Sequence, residues 1–468
     1  MNARSWFERL LDNVADRGLE LIGLRDRSAQ GAPSDAELCH RLVEGLGEAS
    51  NIALAREILQ RWETMDEARR LDFLNILAVE FDPDAEAIAQ AASDYRPRDP
   101  AALKRLLEAS EPPRQELMRR LNMAPDGTAA LVDIRAFLLR VLPQQPQLKG
   151  VDADFQHLLA SWFNRGFLRL ERIDWNSPAA ILEKLIRYEA VHPMSGWDDL
   201  RRRLGADRRC FAFFHPALPR DPLIFVEVAL TDGISATISP LIDPAAPERD
   251  PAQADTAVFY SINNALTGLR GVSFGNFLIK QVVSELTDEF PEIQTFVTLS
   301  PIPRLRETLR NATAGDDATA SQIERLLGER ADALKQAADC ADPLEALDRL
   351  LAQPLDAATR DLLDPVLTDL TLFYLARLKR GDAAYDPVAH FHLSNGARLE
   401  RINRHANPSA RGRDESWGCM VNYRYRSEEV VANHEAYVWD GRIALSRELK
   451  RRLRQIDDLI GSETAHVR

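Results

Sequence analysis

The pattern of apolar residues changes once along this chain, and the change occurs after Gly166. Up to about residue 165 the sequence is rich in Leu, Ala, Arg and Glu at helical spacing. In one clear case a single helical face holds four apolar residues at positions i, i+3, i+7 and i+10: Leu131, Ile134, Leu138 and Val141. No motif that carries chemistry occurs in this part, so residues 1–165 are predicted to form a helical bundle with a structural or self-association role.

Beyond residue 166, short runs rich in Phe, Val and Ile alternate with helical patterns, which is typical of a mixed α/β domain. Strands are predicted at Cys210–Phe214, Pro222–Leu230, Thr256–Tyr260, Ile293–Leu299 and Met420–Val431. Helices are predicted at Asn276–Phe290 and Ser446–Ile456, and a helical insertion is predicted at about 306–382. The 468 residues therefore predict an α+β fold with two domains, 1–165 and 166–468.

The overall charge argues against a nucleic-acid-binding protein. Lys and Arg total 59 against 72 Asp and Glu, which gives a net charge of −13 at pH 7. A net negative field repels phosphate backbones, and the sequence contains no long basic run interleaved with aromatic residues. A local basic pocket for one phosphorylated ligand is compatible with this composition.

Several features favour a cytoplasmic location without a membrane span. The most apolar strand-like run is interrupted by Glu227, and no stretch approaches the ~18 apolar residues that a spanning helix requires. The first residues include Glu8, Asp12 and Asp16, unlike a signal or transit peptide. The four cysteines include no C-x-x-C pair, which argues against a zinc ribbon or a disulfide framework and suits a reducing compartment.

The segment Gly271-Val272-Ser273-Phe274-Gly275 has two interpretations. It matches G-x-S-x-G, the nucleophile elbow of α/β-hydrolases, but an elbow needs a strand ending at the serine, and residues 263–270 predict a loop. Read as Arg270-x-x-Ser273-x-Gly275, it is similar to the loop before a helix in the GNAT acyl-CoA-binding fold, with Ser273 in place of a glycine. Such a loop directs backbone N–H groups and the positive end of a helix at a pyrophosphate.

The segment His390-Phe391-His392 carries two imidazoles. Residues 390–399 predict a strand, in which both imidazoles would lie on one face. A metal site would need His405 or His434 as a third ligand, and no H-E-x-x-H motif is present. The alternatives are a structural histidine at His390 and a catalytic acid at His392, because an imidazole ordinarily titrates near neutrality.

Six segments together closely resemble the malonyl-CoA decarboxylase family. They are Phe259–Ile262, Gly268–Val272, Phe277–Lys280, Leu299–Pro303, Phe391–Ala397 and Met420–Tyr425. The resemblance extends from about residue 172 to residue 425 and, more loosely, into the helical N-terminal part.

The resemblance implies a helical N-terminal domain for self-association and a GNAT-like catalytic domain. It also implies a catalytic serine at Ser300, a catalytic histidine at His392, and accessory active-site positions at Ser261 and Tyr425. The implied acyl-CoA-binding loop consists of Arg270, Gly271, Val272, Ser273, Phe274, Gly275 and Asn276.

Two departures from the family pattern are visible. Relatives often carry Glu where this chain has Ser273, which bears on any polar relay through that Glu. The chain ends His466-Val467-Arg468 and lacks the peroxisomal tripeptide of eukaryotic members.

The implied activity is a carboxy-lyase reaction that converts malonyl-CoA to acetyl-CoA and CO2. Loss of CO2 leaves an enolate, so the protein must stabilise an oxyanion and deliver a proton to carbon, and the chemistry requires neither a metal nor another cofactor. Ser300 is expected to orient the leaving carboxylate and accept a proton, and His392 is expected to donate the proton.

Two other functions stay open at this point. One is a GNAT-type acyltransferase, which would release CoA only with an amine acceptor. The other is a non-catalytic malonyl-CoA-binding protein, which malonyl-CoA would stabilise without turnover. The expected partners are malonyl-CoA, acetyl-CoA and further copies of the chain bound through the helical domain, with no nucleic acid and no membrane.

Overall fold

The computed structural model describes residues 33–45, 47–272, 278–314, 318–461 and 465–466. The chain forms two compact units. The first unit consists of residues 1–169, 214–223 and 266–274, and the second consists of 170–213, 224–265 and 275–468. Two short segments from beyond residue 166 thus belong to the helical unit, and the sequential boundary at 165/166 stays a prediction.

The first unit is helical. Its described helices are α1 (Asp35–Glu44), α2 (Glu48–Thr64), α3 (Glu67–Val79), α4 (Ala85–Asp94), α5 (Pro100–Ser110), α6 (Pro113–Leu121), α7 (Gly127–Val141) and α8 (Lys149–Trp162). Helix α1 begins at a capping box, in which the Ser34 hydroxyl accepts from the Glu37 backbone and the Glu37 carboxylate accepts from the Ser34 backbone. On α7, three residues of the predicted apolar face, Leu131, Ile134 and Leu138, are fully buried, and the fourth, Val141, is half-buried.

The second unit is built on a mixed seven-stranded sheet. Its strands are β1 (Arg169–Ile173), β2 (Arg208–Phe214), β3 (Ile224–Thr231), β4 (Thr256–Asn264), β5 (Thr295–Thr298), β8 (Arg398–Asn403) and β9 (Met420–Tyr425). The strand order is β1-β2-β3-β4-β5-β9-β8. Pairs β2/β3, β3/β4, β5/β9 and β8/β9 are antiparallel, whereas β4 and β5 are parallel.

The predicted strands are present with shifted ends. Every residue of β2 and β3 is buried, which explains their nearly continuous apolar sequences. Strand β4 extends four residues past Tyr260 to Asn264, so the first part of the predicted 263–270 loop is strand. Strand β9 ends at Tyr425, and the remainder of the predicted strand leads into a helix that begins at Val430.

Helices connect the strands and fill the long insertion that follows β5. The described helices of this unit are α9 (Ala179–Tyr188), α10 (Trp197–Arg203), α11 (Ser239–Ile242), α12 (Leu278–Glu289), α13 (Leu305–Ala314), α14 (Ala318–Leu327), α15 (Arg330–Ala338), α16 (Pro343–Leu351), α17 (Ala357–Arg377), α18 (Pro387–Ser394), α19 (Ala410–Ser416), α20 (Val430–Asp440) and α21 (Arg447–Ile460). A second, three-stranded sheet contains β6 (Leu378–Arg380), β7 (Ala383–Ala384) and β10 (Ala465–His466).

This arrangement confirms the α+β fold class, with a mixed-sheet domain and a helical insertion. Helix α12 follows the glycine-bearing segment and leads into β5, which is the predicted order of turn, helix and strand. Five helices, α13 to α17, occupy most of the predicted insertion. Among the described helices, none is both long enough and apolar enough to cross a bilayer.

The predicted strand at 390–399 is wrong in its first half, because residues 387–394 form helix α18. The Asp386 side chain accepts from the Ala389 backbone at the N-terminus of this helix, and Pro387 occupies its first position. Both are start signals for a helix. Gly396 at φ +81° follows its end, and β8 begins two residues later. In a helix the imidazoles of His390 and His392 point in different directions.

Candidate active site

Ser300 lies just past the end of β5, an interior strand of the large sheet. Its backbone forms a β-bridge with Val421 of β9. The Ser300 N–H donates to the Val421 carbonyl at 2.8 Å, and the Val421 N–H donates to the Ser300 carbonyl at 3.0 Å. The Ser300 side chain is buried. Because its backbone is fixed on both sides, the hydroxyl occupies a defined position.

His392 is in the last turn of α18 and is also buried. Its ring is stacked on the Tyr423 ring, with centroids 4.7 Å apart and an interplanar angle of 24°. Its Nε2 lies 3.1 Å from Ser300 Oγ, and its Nδ1 lies 2.8 Å from Tyr425 Oη. The structure therefore brings together three residues that the sequence analysis had singled out, 92 and 33 positions apart.

The hydrogen bonds form a chain from Tyr425 through His392 and Ser300 to Thr298. Ser300 Oγ donates to Thr298 Oγ1 at 2.8 Å, and Thr298 Oγ1 also accepts from the Tyr423 N–H at 3.1 Å. With the serine proton directed at Thr298, Ser300 Oγ is an acceptor for His392 Nε2–H. Tyr425 then donates to Nδ1, so every link in the chain has one donor and one acceptor.

Burial lowers the pKa of His392 to about 3. The reason is that an imidazolium without a carboxylate partner is poorly solvated in this position. The imidazole is therefore neutral at neutral pH in the free protein, which differs from the expectation that it titrates near neutrality. Burial also raises the pKa of the Tyr425 phenol well above its ordinary value, so that hydroxyl stays protonated.

Ser300 and His392 open onto a mostly apolar cavity of about 290 Å³. Its walls come from β3, β4, α12 and α18 and from the segment after β5: Val191, Ile224, Val226, Phe259, Tyr260, Ser261, Ile262, Asn264, Leu278, Ile279, Ser300, Pro301, Pro387, Val388, Phe391 and His392. Apolar walls with a few convergent polar groups are typical of a small-molecule site.

Ser261 lines the same cavity but is held by a separate network. Its hydroxyl donates to Glu189 Oε2 at 2.8 Å and accepts from Asn263 Nδ2 at 2.6 Å. Asn263 Nδ2 also donates to Glu189 at 2.8 Å. The other oxygen of Glu189 accepts from the backbone N–H groups of Val191 and His192 at 2.9 and 2.7 Å. Glu189 thus fixes the Ser261 hydroxyl through a fully bonded buried carboxylate.

A buried arginine lies beneath this network. Arg203 donates to Glu227 at 2.7 Å and lies 4.0 Å from Glu189. Burial raises the pKa of Glu227 to about 7, although Arg203 opposes the shift. One guanidinium therefore serves two carboxylates, and the nearby Glu189 adds to the effect of burial in raising the pKa of Glu227.

The predicted acyl-CoA loop lies only partly within the described residues. Arg270 is exposed, Gly271 has φ +79° and Val272 is buried. All three belong to the helical unit. The remaining predicted loop residues, Ser273, Phe274, Gly275 and Asn276, lie outside the described residues.

Neither the hydrolase nor the metal interpretation is supported by the geometry. Residues 267–269 form a 3-10 turn, so no strand leads into the G-x-S-x-G segment as an elbow requires. His390 Nδ1 bonds to Tyr437, His405 Nε2 to Asp364, and His434 Nδ1 to a backbone carbonyl. Within the described ranges no three His, Cys, Asp or Glu side chains converge as metal ligands would.

Sequence reasoning missed several residues of this site. Thr298 precedes Ser300 by two positions on an extended segment, so strand alternation could have placed both on one face. The same argument relates the missed Tyr423 to Tyr425, which the family resemblance had already implied, because both lie on β9 two positions apart. No sequence pattern marked Glu189, because its partners Ser261 and Asn263 lie more than 70 positions away.

Comparison with known proteins gives consistent matches along most of the chain. Residues 166–461 match the family described as Malonyl-CoA decarboxylase C-terminal domain, and residues 81–163 match Malonyl-CoA decarboxylase N-terminal domain. The protein "Malonyl-CoA decarboxylase, mitochondrial" of Anser anser anser is 35% identical over 403 residues, which cover 82% of this chain and 79% of the goose protein.

Two solved structures are also similar. The crystal structure of malonyl-CoA decarboxylase from Rhodopseudomonas palustris is 46% identical with a TM-score of 0.81, and the match covers 90% of this chain and 100% of that one. The corresponding structure from Agrobacterium vitis is 43% identical with a TM-score of 0.77, and the match covers 89% and 98%.

Proposed function

This chain belongs to the malonyl-CoA decarboxylase family, and we propose that it removes CO2 from malonyl-CoA at the buried pair Ser300 and His392. The observation that carries this assignment is the 3.1 Å contact between Ser300 Oγ and His392 Nε2 at the wall of an apolar cavity. The products are acetyl-CoA and CO2, so the activity is that of a carboxy-lyase.

The cavity suits the carboxylate-losing end of the substrate. The malonyl carboxylate enters as an anion and leaves as neutral CO2, so mostly apolar walls favour the departing product over the bound anion. Ser300 is a polar group at the wall that orients the carboxylate through its hydroxyl. Ser261, held by Glu189, offers a second hydroxyl to the acyl group.

His392 supplies the proton that the reaction consumes. Its imidazole is neutral in the free protein, and the malonyl carboxylate brings a negative charge that favours the imidazolium. One proton is therefore taken up with the substrate. After the C–C bond breaks and CO2 leaves, that proton passes to C2 of the enolate, and the imidazole returns to its neutral form. Tyr425 supports both forms, because its hydroxyl donates to neutral Nδ1 and accepts from Nδ1–H.

The acyl-CoA ester is bound by the Arg270–Asn276 loop in this proposal. Two observations support it. The segment contains Gly271 and Gly275 and leads in sequence into helix α12, and a helix N-terminus attracts phosphate groups. The thioester stays intact throughout, so neither an acyl-serine nor free CoA is formed. CoA is a substrate group here, and no resident cofactor takes part in the proposal.

The helical part of the chain is proposed to join copies of this protein. Leu103 and Leu107 of α5 are exposed one helical turn apart, at 44% and 60%, and Val79 is 77% exposed. Exposed apolar side chains on a helical unit favour association with a second copy. Replacing Leu103 and Leu107 by Gln is expected to lower the molar mass measured by light scattering, and an unchanged mass would contradict this role.

A cytoplasmic location completes the proposal. All four cysteines are unpaired thiols, which suits a reducing compartment. Cell fractionation with an antibody against the chain tests this location, and enrichment in a membrane or organelle fraction would contradict it.

The activity is tested by incubating purified protein with malonyl-CoA and following acetyl-CoA, CO2 and free CoA together. We expect acetyl-CoA and CO2 in equal amounts, with large losses of rate in Ser300→Ala and His392→Ala. His390→Gln is the matched control, because His390 lies on the same helix but bonds to Tyr437. Its rate should equal that of the parent.

Other outcomes identify other functions. Release of free CoA that depends on an amine acceptor would favour the acyltransferase. Stabilisation by malonyl-CoA without turnover would favour the binding protein, and the proton-donor role of His392 would then be wrong.

A further inference from the structure

The helix that carries His392 is short. Helix α18 has eight residues, and His392 lies in its last turn. Four of its residues, Pro387, Val388, Phe391 and His392, also line the cavity. A helix of this length is marginal on its own in water, so the position of α18 depends on the contacts at its ends and on its buried face.

A buried carboxylate holds the first turn of this helix. Asp386 is 1% exposed, and its Oδ1 accepts from the Ala389 N–H at 2.8 Å. Its Oδ2 accepts from Tyr374 Oη at 3.2 Å. Tyr374 is a fully buried residue of the long helix α17. The residue that caps α18 is therefore itself bonded to a second helix.

The two hydrogen bonds offset the burial of this carboxylate. Burial raises the pKa of the Asp386 carboxyl to about 6, and the bonds from Ala389 and Tyr374 act against that rise. A carboxylate in the interior is unfavourable unless hydrogen bonds compensate for the lost water. Both oxygens of Asp386 have such a donor, so the cap and its link to Tyr374 are formed together.

The capped turn lies beneath the His392 side chain. Side chains of a helix lean toward its N-terminus, over the residues three and four positions earlier. For His392 these residues are Ala389 and Val388, and Ala389 is the residue that Asp386 caps. The other end of the helix is held at Gly396, where a Cβ would lie 2.1 Å from a carbonyl oxygen of α20. Because both ends are held, α18 is restrained from tilting and sliding.

The imidazole has little room for displacement. Its Nε2 lies 3.1 Å from Ser300 Oγ, and its Nδ1 lies 2.8 Å from Tyr425 Oη. Side-chain hydrogen bonds are lost beyond about 3.5 Å, so a shift of ~1 Å away from either partner breaks a contact. A misplacement of about 1 Å at a reacting group can lower a rate by roughly 100-fold.

We propose that Asp386 is a positioning residue for His392: by bonding the first turn of α18 to Tyr374, it keeps the imidazole within hydrogen-bond distance of both partners. The described lining of the cavity does not include Asp386, so it acts through the histidine and not on the substrate. The role rests on the proposed function, because it affects turnover only if His392 delivers the proton.

Steady-state kinetics with malonyl-CoA test this role. Asp386→Ala removes the cap and should lower kcat by roughly 10- to 100-fold, because a misplaced proton donor slows the chemical step. KM should change by less than about threefold, since the lost interaction is not one that binds substrate. Asp386→Asn keeps a cap, because Asn and Asp cap helices equally well, and its kcat should stay within about threefold of the parent.

Asp342→Ala is the matched control. Asp342 caps α16, a helix of nine residues that also begins with a proline, and its carboxylate accepts from the Leu344 N–H at 2.9 Å. No residue of α16 is part of the described lining of the cavity. This variant loses the same kind of cap, so its kcat should equal that of the parent.

A double variant separates positioning from a general loss of structure. Tyr425→Phe removes a bond to the His392 imidazole and is itself expected to lower kcat. If Asp386→Ala has already displaced the imidazole, the two losses overlap. The double variant should then be no more than about threefold slower than the slower single variant.

Histidine signals in NMR spectra report the position of the ring without turnover. The His392 ring is stacked on the Tyr423 ring with centroids 4.7 Å apart, so its signals carry a ring-current shift. In protein labelled at its nine histidines, the signal missing from His392→Gln belongs to His392. Asp386→Ala should move that signal, whereas Asp386→Asn and Asp342→Ala should leave it in place.

Several results would overturn the assignment. They are a parent-like kcat or an unmoved His392 signal in a folded Asp386→Ala, a kcat in Asp386→Asn as low as that in Asp386→Ala, an equal loss in Asp342→Ala, and losses that multiply in the double variant.

Two further outcomes are also decisive. If Asp386→Ala does not fold, Tyr374→Phe tests the role, because it removes the link to α17 and keeps the cap. Its kcat should fall by at least about threefold, and a parent-like kcat would contradict the proposal. If the parent does not decarboxylate malonyl-CoA while the His392 signal moves only in Asp386→Ala, the proposed reaction fails and the positioning role stands.

Discussion

Replacing Tyr425 by Phe removes one hydroxyl from the hydrogen-bond chain of the site and leaves the ring in place. The lost contact is the 2.8 Å bond between Tyr425 Oη and His392 Nδ1, and both side chains are buried. Water has little access to the vacated position, so Nδ1 loses its partner in the neutral and in the protonated form.

The size of the effect follows from the protonated form. A hydrogen bond to a charged group contributes about 1.5–3 kcal/mol, and the imidazolium forms only with substrate bound. The loss therefore falls on kcat, which should decrease by roughly 10- to 100-fold. KM should change little, because Tyr425 does not line the cavity. The melting temperature should fall by less than about 4 °C, since only one neutral hydrogen bond is lost in the free protein.

Tyr437→Phe is a matched control for this prediction. Tyr437 is also buried and its hydroxyl bonds to His390 Nδ1 at 2.9 Å, away from Ser300. This variant should lose stability but keep kcat. Steady-state kinetics and thermal melts on both variants test the reasoning, and a parent-like kcat in a folded Tyr425→Phe, or an equal loss of kcat in Tyr437→Phe, would refute it.

Three further predictions follow from the same contacts. Burial lowers the pKa of His392 to about 3, so the protonated fraction in the free protein falls as pH rises and kcat/KM should decline steadily from pH 6 to pH 8. A kcat/KM that is constant below about pH 6.5 and falls only above it would contradict this. The pKa of His192 is likewise lowered by burial to about 3, so stability should be complete above about pH 6.5 and decrease as pH falls toward 3, which urea unfolding at several pH values measures. Glu189→Gln replaces a carboxylate oxygen by an amide donor that faces two existing donors, so kcat and the free energy of unfolding should both fall. The free energy of unfolding should fall by about 1–3 kcal/mol. Unchanged values would show that Glu189 does not hold Ser261.

The fold could be predicted where one physical signal dominated. The buried strands β2 and β3 have nearly continuous apolar sequences and α7 shows a single apolar face, so the sequence predicts two strands and a helix there. The strand predicted at 390–399 was wrong in its first half. The apolar and aromatic residues of that segment favour a strand, but Asp386 and Pro387 begin a helix there. Strand ends were shifted because hydrogen bonding to neighbouring strands, rather than local sequence, decides where each strand stops.

The site was less accessible to sequence reasoning than the fold. Ser300 and His392 were identified through the family resemblance, since no local pattern relates residues 92 positions apart. The low pKa of His392 depends on its burial against Tyr423, which is a property of the packed interior. Glu189 and Arg203 were missed for the same reason, because each acts through tertiary neighbours.

The most direct test of the central claim is a double-mutant cycle on Ser300 and His392. Turnover of malonyl-CoA is measured for the parent, Ser300→Ala, His392→Gln and the double variant, with circular dichroism to confirm folding. If the two residues act as one proton-handling pair, the double variant should be no more than about threefold slower than the slower single variant. If the two losses multiply, the residues act independently and the proposed pair is contradicted.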